Sequence, residues 1–364
     1  MKKITCFTES QAGGGAEHQI NILARLLADR GYNVSLVTYA DIPDHYVIPA
    51  NVKRVELGHG RNPIKTFFSI FWYFIKINTD CIISFREACN ARVLIPMLFR
   101  PGIKVIACER NLTVPPPSYY GRINCNLLYY RADKIIPNSF SQEKYLLSLG
   151  KSWSKKVQTI INYTETEVFN KISIPKNESI IKIGVFARFS RQKNALGLVE
   201  AVSTLIKKNV KPFEIHWFGD QRNFNKGYNQ DYLKVRDEIT EKRVDKVFLL
   251  HELTRNVCWE MNKLHAICLP SFYEGFSNSV SEGICCGKPM LVSNVSDNSI
   301  MVHEGENGFL FNPYETTSIV AAFERFLSLS SKQMEEMGEK SRTIAKELFN
   351  KDKYIEKYQK IIEE

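Results

Sequence analysis

The stretch 271–289, "SFYEGFSNSVSEGICCGKP", decides how the rest of the chain is read. It follows directly on "AICLPS" (266–271), an apolar run with the length and composition of a buried strand. A short loop with Glu274, Gly275 and Phe276 comes next, and then Ser277 and Asn278, both good helix caps. The helix predicted from there runs to about Cys286, because Gly287 supplies a C-terminal stop and Pro289 blocks continuation. Glu274 therefore lies before the first turn. Glu282 lies one turn inside, four residues from Asn278 and on its face. A helix N-terminus presents free backbone N–H groups to an anion. A diphosphate held there would have a carboxylate on either side, the inner one suited to two ribose hydroxyls and the outer one to those of a sugar. Paired carboxylates also hydrolyse glycosides, but that chemistry needs no phosphate cradle and ranks lower.

Outward from this stretch the same rhythm repeats in both directions. Strands are expected at 180–189, 213–220, 246–252, 266–271, 289–295 and 307–312, and in the first half at 3–9, 33–39, 80–85, 104–109 and 134–139. Helical segments separate most of them, which is the βαβ pattern of parallel sheets covered on both faces. The polar stretch 162–179 reads as a linker, and 316–364 as helical, ending in the amphipathic "KDKYIEKYQKIIEE". At 364 residues the chain suits two domains, and doubly wound sheets place ligands at the carboxyl ends of their strands. No repeat of solenoid period is present.

Two further turns fall at such strand ends. In "TESQAGGGAEHQINILARLL" (8–27) a strand enters three glycines and a helix over 16–30 that ends at Gly31. Glycine lets a ligand approach the backbone closely. The pattern is not a P-loop, and the dinucleotide fingerprint is poorly met: Gly13 and Gly15 are correctly spaced, but His18 stands where the last small residue belongs. In "FARFSRQKN" (186–194) Arg188, Arg191 and Lys193 cluster where the first strand of the second half ends, a set suited to phosphate oxygens.

Charge and cysteine usage narrow the surroundings. Residues 1–175 carry 22 Lys+Arg against 13 Asp+Glu, and residues 176–364 carry 27 against 26, so the net charge of +10 sits almost wholly in the first half. A basic half attracts an anionic surface or a phosphorylated substrate. None of the nine cysteines forms a CxxC pair, and Cys6, Cys81, Cys108 and Cys268 sit in apolar runs, which points to a reduced compartment and no metal site. The N-terminus lacks a signal-peptide core, and no window reaches the length of a membrane span. "FFSIFWYFI" (67–75), closed by Lys65 and Lys76, is expected to be a buried helix, with an interfacial one as the alternative.

The motifs taken together resemble the family-4 retaining glycosyltransferases of the GT-B fold, marked by E-x7-E. The resemblance covers nearly the whole chain and rests on "LPSFYEGFSNSVSEGICCGKPMLVS" with "EGENGFLF", supported by "GGGAE" and "RFSRQKN". It implies two Rossmann-like parallel-sheet α/β domains facing a cleft: an acceptor-binding domain over 1–165, a nucleotide-sugar-binding domain over 180–345, and a helix over 346–364 crossing back to the first. By resemblance, Glu282 holds the nucleotide ribose, Glu274 the transferred sugar, and Arg188 and Lys193 the diphosphate. Gly14 and Gly15 approach the donor from the first domain, and the backbone of Gly275, Phe276, Ser277 and Asn278 lines the phosphate side.

Departures from the family include Ser277 for a frequent glycine, Gly283 for an alanine, and Glu109-Arg110-Asn111 for a histidine. The last reading is common among members that build bacterial surface polysaccharides, and it makes Glu109 a further catalytic candidate. The expected reaction moves a hexose-type sugar from a UDP-sugar, or a GDP-sugar, to a hydroxyl of a polyprenyl-diphosphate-linked glycan, without metal or other cofactor, in O-antigen or capsule biosynthesis. The alternatives are a nucleotide-sugar epimerase and a non-catalytic nucleotide-sugar-binding partner of a glycosylation complex. The loop 111–122, with three prolines and two tyrosines, suits an acceptor. Peripheral, salt-reversible contact of the first half with an anionic membrane is expected at the inner, cytoplasmic face, with Lys65, Lys76, Arg92, Arg100 and Lys104 as contributors. No nucleic-acid partner is expected.

Overall fold

The computed structural model describes residues 1–12, 14–58, 62–174, 179–223 and 227–364. Gly13 of the glycine turn and part of the expected linker, 175–178, lie outside the described residues. The chain divides into two compact units, Met1–Tyr163 with Lys351–Glu364, and Thr164–Asn350.

The first unit is a parallel sheet of β1 (Lys3–Phe7), β2 (Asn33–Thr38), β3 (Lys53–Glu56), β4 (Cys81–Phe85), β5 (Lys104–Glu109) and β6 (Lys134–Pro137). The spatial order is β3-β2-β1-β4-β5-β6, with Ile4 opposite both Val34 and Cys81. The strand order reverses between β1 and β4, which makes the carboxyl ends of those strands the switch point where ligands bind in doubly wound sheets. Cys6, Cys81 and Cys108 are each at most 1% exposed in this sheet and pack as small hydrophobes. Strand β3 has no counterpart among the expected strands. Its sequence, KRVE, is charged and largely exposed because it forms the sheet edge, so it lacks the apolar run that marks an inner strand.

The second unit begins with β7 (Ile181–Phe186), β8 (Phe213–Phe218) and an antiparallel pair, β9 (Arg222–Asn223) with β10 (Gly227–Tyr228). Then come β11 (Phe248–His251), β12 (Ala266–Leu269), β13 (Met290–Ser293) and β14 (Gly308–Phe311). The second sheet has the order β11-β8-β7-β12-β13-β14, again all parallel, with the reversal between β7 and β12. Its core includes Trp217, Phe248, Phe311, Phe323 and Phe326. Both sheets have the topology of Rossmann-like domains, as the sequence rhythm implies.

The C-terminal helix Lys351–Glu363 belongs to the first unit. It buries Tyr354, Ile355, Tyr358, Ile361 and Ile362, one face at helical spacing. Tyr354 stacks on Tyr163 at 5.3 Å, and Lys104 Nζ donates to the carbonyl of Ile361 at 2.9 Å. The Arg110 guanidinium donates to the Tyr358 hydroxyl at 2.7 Å and to Asn162 at 3.2 Å, and lies 3.7 Å from the centre of the Phe85 ring. Arg110 and Lys104 thus hold this helix in place.

The helix Pro63–Lys76 corrects the expectation of a buried segment over 67–75. Asn62 caps it, accepting from the N–H groups of Ile64 and Lys65, and Pro63 sits at the first helical position. It buries Ile70 and Phe74 against the sheet. Ile64, Phe67, Phe68 and Trp72 are exposed, as are Leu98 and Phe99, and Phe71 joins the two groups by packing 6.2 Å from the Phe99 ring. A single helix facing one side of a sheet cannot bury residues all round its axis, so part of this aromatic run remains outside. Arg100 caps the end of the helix by donating to the carbonyls of Ile75 and Ile77, and Arg92 lies between the rings of Tyr39 and Tyr120. Of the five flanking cations, Arg92, Arg100 and Lys104 are engaged within the fold, whereas Lys65 and Lys76 are exposed. Among the described residues no helix is long and apolar enough to cross a membrane.

Candidate functional site

In the second unit the turn after β7 and the loop after β12 flank the switch point, and hydrogen bonds lace them together. Gln192 accepts from the N–H of Phe272 at 2.9 Å, and its side chain donates to the carbonyl of Tyr273 at 2.8 Å. Asn194 takes a left-handed conformation (φ 51°) to start the helix Ala195–Leu205, and its side chain donates to the Pro313 carbonyl. This frame places Lys193 Nζ 2.5 Å from Glu274 Oε1, with the side chains 14% and 9% exposed. The Ser296 hydroxyl donates to the Glu274 carbonyl at 2.5 Å.

This pairing changes the expected picture in one respect. The resemblance gives Lys193 to the diphosphate and Glu274 to the transferred sugar, two different parts of a ligand. Here they form a nearly buried ion pair, while Arg188 is exposed. The reason is geometric: two strand ends adjacent at a switch point bring both side chains into one enclosure, and a buried charge requires a partner.

The helix of the opening stretch spans Asn278–Cys285. The Ser277 side chain caps it, accepting from the N–H of Val280, so this hydroxyl is used within the protein. Gly287 takes φ +65° just beyond the C-cap Cys286 and ends the helix. Gly275 is buried, and Phe276 turns its ring inward, edge-on to Phe349. Asn278 and Glu282 keep partial exposure. Desolvation pushes the Glu282 carboxyl up to about 8, with the nearby Cys258 adding to the effect. Glu282 is therefore mostly protonated at neutral pH in the free protein. In that form it donates one hydrogen bond as well as accepting.

The first unit has its own cluster at the switch point. The helix Gly15–Asp29 begins after Gly14, and both glycines are exposed. Where a dinucleotide fold would have a small residue, His18 stacks on Tyr46 with ring centres 4.9 Å apart. One Arg86 nitrogen, Nη1, donates to Glu9 Oε2 at 2.9 Å and Glu17 Oε1 at 3.1 Å. Arg86 has φ +84°, an unusual backbone for a residue with a side chain. Arg86 is not among the expected site residues, although it stands at the carboxyl end of an expected strand, as Arg188 does. Glu109, at the end of β5, is 3% exposed. Burial, and secondarily Glu87, holds its carboxyl well above the usual range. Glu87 accepts from the Ser118 hydroxyl in the proline-rich loop.

A pocket of about 550 Å³ elsewhere in the second unit is lined in part by Lys182, His216, His251, Arg255 and Glu260. His216 lies 3.0 Å from both His251 Nε2 and Glu214 Oε2. Its lining includes none of Lys193, Glu274 and Glu282. Among the described residues no group of three or more His, Cys, Asp or Glu side chains comes together as a metal site.

Residues 165–344 match the model of the family described as glycosyl transferases group 1. The second unit therefore carries the sequence pattern of a group 1 glycosyltransferase. The chain is 24% identical, over 79% of each protein, to a Campylobacter jejuni subsp. jejuni serotype O:2 enzyme. That enzyme is named N-acetylgalactosamine-N,N'-diacetylbacillosaminyl-diphospho-undecaprenol 4-alpha-N-acetylgalactosaminyltransferase. This chain is also 26% identical to the Escherichia coli UDP-Gal:alpha-D-GlcNAc-diphosphoundecaprenol alpha-1,3-galactosyltransferase, over 52% of this chain and 44% of that one. Among solved structures, Anabaena HepE in complex with UDP and glucose superposes with a TM-score of 0.84, at 16% identity and full coverage of both chains. Sucrose-phosphate synthase from Thermosynechococcus elongatus does so with 0.82 at 17% identity, over 99% and 98% of the two chains. The fold is GT-B.

Proposed function

We propose that this protein is a retaining hexosyltransferase that moves a sugar from a UDP-sugar to a hydroxyl of a polyprenyl-diphosphate-linked glycan in surface-polysaccharide assembly. The observation that carries this reading is the Lys193–Glu274 pair at the switch point, with Glu282 on the helix that follows. Lys193 neutralises the departing diphosphate together with Arg188 and the backbone N–H groups at the start of the helix Asn278–Cys285. Charge stabilisation aimed at the leaving group supplies most of the acceleration in such a site. Glu274, released from Lys193 as the phosphates arrive, accepts hydroxyls of the transferred sugar, and Glu282 takes the ribose. In the first unit Glu109, buried at the end of β5, is the further catalytic candidate. The names of the two bacterial relatives support a diphospho-undecaprenol acceptor and an alpha product, and one of them names a UDP-sugar donor.

The exposed helix Pro63–Lys76 supports placement at the membrane surface. It carries Phe68 and Trp72 outward, has Lys65 and Lys76 near its ends, and contains no acidic residue. Aromatic side chains with flanking cations favour an anionic lipid interface.

The reaction is tested by incubating the protein with UDP- and GDP-sugars and synthetic lipid-diphosphate sugars, following nucleotide release and the anomeric configuration of the product. Nucleotide release with no new glycosidic bond, or a β-linked product from an α-configured donor, overturns the reading. Co-sedimentation with anionic and neutral vesicles tests the placement separately. Binding to anionic vesicles is expected to fall at least about tenfold in Trp72→Asp and at high salt. Equal binding to both lipids, or none, removes the membrane claim and leaves the transferase reading intact.

A further inference from the structure

Cys258 differs from the other cysteines of the chain: eight are buried, and Cys258, on the short helix Val257–Lys263, is partly exposed. Its Sγ lies 3.8 Å from the Sγ of Cys286, which is fully buried at the end of the helix Asn278–Cys285. Asn262 Nδ2 also lies 3.5 Å from the Cys258 sulfur. We propose that Cys258 and Cys286 form a redox site, an exposed reactive thiol with a buried resolving partner, which hydroperoxides close into a disulfide.

The geometry sets the roles. An oxidant reaches Cys258 from solvent but cannot reach Cys286 directly. The Cys286 thiol donates to the Cys258 sulfur, and this, with Asn262 and the positive charge of Lys288, brings Cys258 down to about 6, whereas Cys286 is raised. Cys258 is therefore the more acidic and more exposed thiol of the pair, and the nucleophile. It attacks the O–O bond of the hydroperoxide. An S–O bond forms, the O–O bond breaks, and the leaving oxygen takes up a proton as water or an alcohol. The Cys286 sulfur then attacks the sulfenic acid at Cys258. The S–S bond forms, the S–O bond breaks, and hydroxide leaves with the Cys286 proton as water. Two thiols and one hydroperoxide thus give one disulfide, one alcohol (or water) and one water. The sulfurs need to close by about 1.8 Å, from contact to bonding distance. The disulfide would tie the helix Asn278–Cys285 to the helix Val257–Lys263.

The site does not rest on the donor reading, because its readout is thiol chemistry. The full-length reduced protein is treated with one equivalent of hydrogen peroxide, alkylated and mapped by peptide mass, with circular dichroism confirming that it stays folded. A Cys258–Cys286 cross-linked peptide, lighter by two hydrogens and restored by dithiothreitol, is expected as the main product. Cys286→Ser should stop at a Cys258 sulfenic acid that dimedone traps. Cys258→Ser should slow thiol loss at least about tenfold. Oxidation spread over the nine cysteines, or a Cys258–Cys285 link in place of Cys258–Cys286, overturns the assignment, as does unchanged thiol loss in Cys258→Ser.

Discussion

Replacing Glu282 by glutamine is expected to stabilise the protein above pH 5 while weakening nucleotide binding. Burial holds the Glu282 carboxyl at about 8 in the folded protein, against about 4.3 for a carboxyl in the unfolded chain. A value raised on folding means that the folded state keeps its proton when the unfolded state has lost it. The group's contribution is therefore fully present below the unfolded value and is lost as pH rises through the folded one. With these two values the loss is about 1 kcal/mol at pH 5, about 4 at pH 7 and about 5 at pH 9. Solvent at the partly exposed carboxyl makes these figures upper limits. Glutamine has the same shape and no charge to desolvate, so the variant should gain up to about 4 kcal/mol over wild type between pH 5 and pH 9. Urea denaturation at pH 5, 7 and 9 measures this. Parallel pH dependence in the two proteins would refute the reasoning. The functional side is read by calorimetry with free UDP. If the ionised form takes the ribose hydroxyls, wild-type affinity rises toward pH 8 and binding at pH 7 releases a proton into the buffer. Both effects should disappear in Glu282→Gln. Glu274→Gln should leave UDP affinity nearly intact and depress turnover, and an equal loss of affinity in both variants would remove the division of roles.

Two other outcomes follow from the packing. Lys193→Ala strands the Glu274 carboxylate in an enclosure where it is 9% exposed. A loss of about 3 kcal/mol is expected in thermal or urea unfolding, partly recovered in the Lys193→Ala, Glu274→Gln double variant, and a double variant that only adds the two losses contradicts the pairing. Gly308→Ala should cost at least about 2 kcal/mol, because a Cβ there would sit 2.1 Å from the carbonyl oxygen of Met290 on β13, and an unchanged melting temperature would show that the strands part more easily than the structure implies.

The sequence by itself determined the elements whose signals are local. The inner strands appear as apolar runs because both faces of a covered parallel sheet are buried. The helix Asn278–Cys285 is bounded by a capping serine and a glycine stop, each of which acts within a few residues. The burial of Cys6, Cys81, Cys108 and Cys268 follows in the same way from the runs that hold them. Tertiary structure decided whatever depends on residues far apart in the chain. Edge strand β3 has no apolar run and exists because β2 offers it a free side. "FFSIFWYFI" is equally apolar in a core helix and in one half exposed, and only the area of sheet available beneath it decides between them. Arg110 follows a strand end as a candidate site residue would, yet its guanidinium is taken up by Tyr358, 248 residues away. Lys193 and Glu274 are 81 residues apart, and neither shows in sequence that it needs the other. Their pairing comes from the reversal of strand order between β7 and β12, a long-range property of the sheet that no local pattern encodes.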